Sequence, residues 1–463
     1  MTAPLFSLDA VLAATGGAAN GVDAKAINSI SIDSRELGPD ALFVAIKGDR
    51  FDGHDFVDTA LASGAAAALV SQGHGGPGRI VVADALGGLG DLARASRERS
   101  RAFIVGVTGS VGKTTTKEAL RVVFEAAGQT HASIKSFNNH WGVPLMLARM
   151  PEATQFGVFE MGMSAPDEIR PLSQMVRPHV AIITSIAPAH LETLGSLENI
   201  ARAKAEIFDG LGEGGTAIIN ADHPHIDLLL ELAAKAGVDN VLTFGFSRGA
   251  DWQILDAQTA ADHSFATVLH GDERFALALG VSGRHMLSNA TAALVAAYVA
   301  GIDPAVALRA LAGFGAQAGR GLRRALGPSA KPLLLIDESY NANTASMGAA
   351  LDVFTAVSVP GRKVLVLGDM LELGAQSDAH HAGLAGAVKA SGAERVHLVG
   401  SGMAALAAAL PGDLVASHSQ TAGEAEDVIV ADLAYGDALM IKGSNGVGLA
   451  RIVNAIVARF EVS

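Results

Sequence analysis

The 463-residue sequence contains no cysteine. Disulfides, thiolate nucleophiles and cysteine-based metal sites are therefore excluded, and any bound metal must rest on oxygen and nitrogen ligands. Basic clusters are missing too. The 34 Lys and Arg stand against 47 Asp and Glu, a formal charge of −13, and no run of positive residues interrupts that balance. This argues against a nucleic-acid partner. Small anionic substrates stay open, because helix N-termini and a few placed cations bind phosphate on an acidic protein. No apolar run is long enough for membrane insertion: the longest, 290–302, is short and alanine-rich. The first basic residue is Lys25 and Asp9 interrupts the early apolar stretch. The charged start of a secretory signal is thus missing, and a cytoplasmic location is expected.

Hydrophobic residues make up 49% of the chain and charged residues 17%, a composition that buries real cores and is too apolar for disorder. At about 150 residues per domain, the length predicts about three domains. Two short apolar runs, 41–46 and 65–70, a Gly-rich stretch at 71–78 and a charged helix at 92–101 predict a small α/β domain over 1–100. Strands at 103–107, 156–161, 180–184 and 217–220 alternate with helices, among them 115–127 and 285–300, and predict a mostly parallel sheet in a domain spanning 101–313. After the Gly/Arg-rich segment 313–324, strands at 333–336, 363–367, 395–399 and 438–441 repeat that pattern in a domain spanning 314–463.

The sharpest local signal is Thr108-Gly-Ser-Val-Gly-Lys-Thr114, after a predicted strand and at the start of a predicted helix. Glycines let such a loop wrap phosphate oxygens with backbone N–H groups and a helix N-terminus. Lys113 then reaches the β- and γ-phosphates, and the Thr114 hydroxyl ligates Mg²⁺. The longer form GxxxxGK[ST] needs Gly at 107, where this chain has Val107, so the match is to TGxxGKT.

Glu160 ends the next predicted strand, at the edge where open α/β sheets bind ligands. An acidic residue there can hold a metal that bridges phosphates, but taken alone a carboxylate at a strand end is more often a solvated or capping residue. His190 lies in the loop past the following strand, with no Cys or Asp at close spacing, and reads as a surface residue. Lys204 and Glu206 fall on an amphipathic helix whose solvated face would accommodate both.

Together, and in this order, these segments resemble the Mur ligase family. The TGxxGKT loop, Glu160, His190 in a Thr-Ser-x-x-x-x-His-Leu setting and Lys204 in Ala-Lys-x-Glu-Ile all match. The resemblance implies that Thr114, Glu160, His190 and Lys204, the last as a carbamate, hold two magnesium ions. It implies ATP contacts from Thr108, Gly109, Ser110, Val111, Gly112, Lys113, Thr114, Asn289, Arg320 and Asp337, with Lys113, Glu160, His190, Lys204 and Arg320 as the catalytic set. A carbamate suits that place, since a bare ammonium would repel the metal.

Asp33-Ser-Arg35, with Asp52-Gly-His54, looks like the family's UDP-sugar-binding domain, and Asn138-Asn-His-Trp-Gly-Val-Pro144 looks like its substrate loop. The implied muropeptide contacts are Ser34, Arg35, Asp52, Gly53, His54, Asn138 and Asn139. In the last third, Asp337-Glu-Ser-Tyr-Asn-Ala-Asn343 and Val366-Leu-Gly-Asp-Met-Leu-Glu-Leu-Gly374 look like the branch that adds a dipeptide, with Asn341 and Asn343 at that substrate. Thr344 stands where that branch usually has Pro, and Asn445-Gly-Val-Gly448 replaces a more frequent Arg-containing run. The expected fold is α/β in three domains: a UDP-binding domain, a central P-loop ATPase domain and a C-terminal Rossmann-like domain. The expected reaction joins D-alanyl-D-alanine to UDP-N-acetylmuramoyl-tripeptide at the expense of ATP, in a monomer.

Overall fold

A parallel strand covered on both faces should divide its side chains between two cores with period two. In the computed structural model, which describes residues 3–48, 51–134, 136–260 and 262–461, the central strands do this. Along Phe103–Thr108, Ile104 enters one core while Val105 and Val107 enter the other; along Val180–Ile183, Ala181 and Ile183 join the first, Val180 and Ile182 the second.

The first core runs on into Leu42, Leu69 and Ile80 of a five-stranded sheet and Leu89 and Leu92 of the helix Ala85–Arg99. That helix clamps the first and central domains together: Ser96 donates to the Ala148 carbonyl (3.2 Å), and Arg97 to the carbonyls of Val176 (2.7 Å) and Arg177 (2.9 Å). It begins earlier than the expected 92–101. Asp84 caps it by accepting from Gly87 N (2.6 Å), and its glycines disguise the first turns, although Gly88 lies where a Cβ would stand 3.0 Å from Leu69.

The second core lies under the helices Lys113–Glu125 and Arg284–Val299. The long alanine-rich run is therefore interior packing; among the described residues no helix is long and apolar enough to cross a membrane. The central sheet has nine strands. Its last three, Trp252–Thr259, Ser264–His270 and Glu273–Leu279, pair antiparallel and were not anticipated, because one face is solvated and the apolar runs are broken.

Strand order positions the site. Phe103–Thr108 lies between Val180–Ile183 and Phe156–Glu160, all parallel, so the loops following these three strands open at one edge. In the six-stranded C-terminal sheet, Leu333–Glu338, Ala438–Lys442 and Lys363–Gly368 are adjacent and parallel. The loops at their carboxyl ends face the central domain.

Candidate active site

The loop 108–113 is laced to the neighbouring strand end. Ser110 N and Val111 N donate to Ser185 O (2.9 Å) and Oγ (3.0 Å), and Thr184 Oγ1 donates to Val111 O (2.6 Å). Gly109 (φ 148°) and Gly112 (φ 89°) take conformations that side chains resist, and a Cβ on Gly109 would stand 1.9 Å from Thr184 Oγ1. Lys113 folds back so that its ammonium donates to Gly109 O (2.6 Å). Burial lowers its pKa, and Glu160 opposes that shift.

Glu160 is 1% exposed, and each of its oxygens accepts a hydrogen bond, from Thr114 Oγ1 and from Asn138 Nδ2, both at 2.8 Å. The solvated alternative is thereby removed. Lys204 and Glu206 are buried as well, at 2% and 7% exposure, so they do not form a solvated helix face. They serve different ends. Glu206 accepts from the backbone N–H groups of Asp167 (2.7 Å), Ile169 (3.1 Å) and Arg170 (3.1 Å), at the start of the helix Ile169–Val176. The Lys204 side chain has no hydrogen-bond or ion-pair partner among the described residues, and burial, with the charge of Lys113 second, holds its pKa well below the ordinary lysine value.

A cavity of about 610 Å³ joins the two domains. Of the expected residues, Ser110, Val111, Gly112, Lys113, Thr114, Asn138, Asn139, Glu160, His190 and Asn289 line it from the central domain, and Arg320, Asn341 and Asn343 from the far side. Arg320 stacks on Tyr340, 4.4 Å from the ring centre. Asp337 does not line the cavity. Its carboxylate accepts from Gly319 N (2.8 Å) and Ser339 Oγ (2.6 Å), which fixes the turn that carries Arg320. Thr108, Gly109 and Lys204 also lie behind the lining.

Ser34, Arg35, Asp52, Gly53 and His54 sit apart, in the first domain. Asp52 meets His54 Nδ1 at 2.6 Å, the other ring nitrogen accepts from Ser71 N (3.0 Å), and Phe51 beside them is 73% exposed. Arg35 pairs with Asp33 at 2.7 Å.

Three family models match the chain: the Mur ligase family catalytic domain at residues 26–86, the Mur ligase middle domain at 107–297 and the Mur ligase glutamate ligase domain at 323–445. The UDP-N-acetylmuramoyl-tripeptide--D-alanyl-D-alanine ligase of Bacillus subtilis strain 168 is 34% identical over 438 residues, 93% of each chain. The chain belongs to the Mur ligase family. The Escherichia coli K12 protein of the same name is 34% identical over 437 residues, covering 93% of this chain and 94% of its own. Among solved structures, MurF from Acinetobacter baumannii superposes with a TM-score of 0.85 at 28% identity, over 98% of this chain and 99% of that one. MurF from Thermotoga maritima in complex with ADP gives 0.78 at 27% identity, over 93% and 97%. The expected three-domain α/β fold is the Mur ligase fold.

Within this Mur ligase site, several residues were not anticipated. Lys442, 3% exposed, bridges Glu338 Oε2 (3.2 Å) and the Asn341 carbonyl (2.9 Å), and so holds the loop that follows the strand Leu333–Glu338. Asn220, Asp222 and His223 line the cavity beyond the strand Thr216–Asn220. Their position at a strand's carboxyl end was the available signal. Thr344 opens the helix Thr344–Thr355 in place of Pro. Asn343 caps that helix through a reciprocal pair with Ser346 (2.9 and 3.0 Å), so the start is secured without a proline.

Proposed function

We infer that this chain is an ADP-forming ligase that joins D-alanyl-D-alanine to the terminal carboxylate of UDP-N-acetylmuramoyl-tripeptide, yielding the pentapeptide precursor of peptidoglycan. The observation that carries this reading is the facing of a phosphate loop and Glu160 by Asn341, Asn343 and Arg320 across one cavity. A carboxylate cannot expel oxide. Its attack on the γ-phosphorus of ATP gives an acyl phosphate and ADP, after which the dipeptide amine attacks the carbonyl and phosphate leaves with the bonding pair.

Negative charge gathers at the phosphoryl group in the first step. Lys113 and Arg320 approach it from the two domains, and the loop's N–H groups cradle the remaining oxygens. Acyl phosphates hydrolyse readily, so an interdomain cavity suits both positioning and exclusion of water. Asn289 and Asp337 complete the nucleotide set, the latter through the Arg320 turn. Ser34, Arg35, Asp52, Gly53 and His54 take the UDP end, Asn138 and Asn139 the peptide near the phosphates, and Asn341 and Asn343 the dipeptide.

Magnesium would be held by Thr114, Glu160, His190 and Lys204 as its carbamate, and bound metal would neutralise phosphate charge. The donors fit: a buried carboxylate and a hydroxyl 2.8 Å apart are hard oxygen ligands. Lys204 fits as well. Burial beside Lys113 favours its neutral amine over the ammonium, and addition of that amine to CO₂, forming the N–C bond and releasing one proton, would replace repulsion from Lys113 with attraction. Domain limits of 1–100, 101–313 and 314–463 agree with this division of labour. One chain carries every element of the site, which suits a monomer, and ATP and UDP-linked precursors suit a cytoplasmic location.

The test is phosphate release from ATP with Mg²⁺ and UDP-N-acetylmuramoyl-tripeptide, with and without D-alanyl-D-alanine. Release that needs both substrates, with a product heavier by one dipeptide, is expected. Release indifferent to the dipeptide would overturn the reading.

A further inference from the structure

Two non-glycine residues with left-handed backbones meet across the domain gap: His190 (φ 55°) of the central domain and Glu372 (φ 64°) of the C-terminal domain, Nδ1 against Oε2. Such conformations persist only where their surroundings enforce them. Here the enforcement is visible. The arm 369–374 is tied down residue by residue: the Asp369 carboxylate accepts from Gly402 N (3.2 Å) and Met403 N (2.9 Å), His381 Nε2 from Met370 N (3.0 Å), and Ser444 Oγ from Leu371 N (3.0 Å).

His381 is 1% exposed and hydrogen-bonded at Nδ1 to the Ser377 carbonyl (2.8 Å), which fixes the tautomer that lets Nε2 accept. Gly374 (φ 61°) closes the arm against the other domain, where a Cβ would stand 3.2 Å from Glu192 Cα. The arm is therefore a rigid projection that delivers one carboxylate to one imidazole. Its root, at Ser444, adjoins Asn445 of the cavity lining.

We propose that Glu372 is a positioning residue for His190, holding the ring by Nδ1 so that Nε2 is left for the nucleotide's metal ion. This rests on the reading of His190 as a metal ligand. A histidine ligand whose other nitrogen is bound to a carboxylate is fixed in tautomer and orientation. Because this carboxylate comes from the opposite domain, docking of the C-terminal domain tightens metal binding in the central one.

The test is a titration of the full-length protein with Mn²⁺ in the presence of ADP, read by electron paramagnetic resonance, for Glu372→Ala, Glu372→Gln, His190→Ala and the double variant Glu372→Ala/His190→Ala. Loss of the carboxylate is expected to weaken Mn²⁺ binding about tenfold. Glu372→Gln, which keeps an acceptor oxygen, should lose less, and ADP binding without metal should be unchanged. Adding Glu372→Ala to His190→Ala should cost nothing more. Unchanged Mn²⁺ affinity in Glu372→Ala, or an equal loss with and without His190, overturns the assignment. The titration needs no turnover, so wild-type protein that fails the dipeptide-dependent assay while giving the expected Mn²⁺ pattern refutes the proposed reaction and supports the role of Glu372.

Discussion

Gly112 caps the helix Lys113–Glu125, at whose N-terminus the proposed reaction places the phosphates, with φ 89° and ψ −11°. In Gly112→Ala the new Cβ would stand 2.4 Å from Asn289 Oδ1 and 3.1 Å from its Cγ and Nδ2. Two costs follow. Placing alanine in the left-handed region costs about 1–2 kcal/mol. Asn289 is 8% exposed on a packed helix, so it escapes only by leaving its rotamer, at about 0.5–1.5 kcal/mol. The stability of the central domain, read by urea unfolding, should drop by about 2–3 kcal/mol. Displacing even one N–H that cradles a charged phosphate loses about 1.5–3 kcal/mol, so ATP affinity by calorimetry should drop about tenfold or more. The control is Asn289→Ala, which vacates the contested space: there Gly112→Ala should cost only the backbone part, about 1–2 kcal/mol. An equal penalty in both backgrounds would mean that Asn289 does not press on Gly112, and no penalty in either would refute the loop geometry itself.

Two further outcomes concern groups buried for structural reasons. Glu206→Ala strands three backbone N–H groups at the start of Ile169–Val176 and should lower stability by about 2–4 kcal/mol in urea unfolding; lost turnover with stability intact would instead place Glu206 at the substrates. His131 hydrogen-bonds through Nε2 to the Met146 carbonyl (2.7 Å), and burial pulls its pKa down to about 4. The native ring stays neutral where the unfolded one, near 6.5, gains a proton, so stability is lost as pH falls from 6.5 towards 4, by about 2 kcal/mol between pH 7 and 5. The difference in urea stability between the wild type and His131→Gln should shift by that amount, and a difference constant with pH would refute it.

How far the site could be read from sequence depended on how local its geometry is. Thr108 to Thr114 folds on itself and on one strand end, so strand, glycines and Lys113 in sequence order sufficed. The rule that ligands gather at carboxyl ends of parallel strands put Glu160 at that edge but left it open to a solvated or capping role, and only the family resemblance singled it out. The central parallel strands were legible because both faces are buried. The antiparallel strands 252–279 were not, because their outer face carries polar residues such as Gln253 and Arg274.

Contacts between distant segments left no local trace. Lys442 reaches back more than a hundred residues to Glu338, and Glu372 crosses a domain boundary to His190. Lys204 and Glu206 make the same point within one helical turn: amphipathic spacing assigns both to a solvated face, yet both are buried. What separates them is the partners that the tertiary fold supplies. Glu206 has three backbone donors, which satisfy a buried carboxylate. The Lys204 side chain has none among the described residues and lies near another cation, so its burial as an ordinary ammonium would be a pure cost. A buried lysine without a side-chain partner in an otherwise well-satisfied site is what the proposed carbamate would explain, whereas the three N–H donors to Glu206 explain its burial by the scaffold alone.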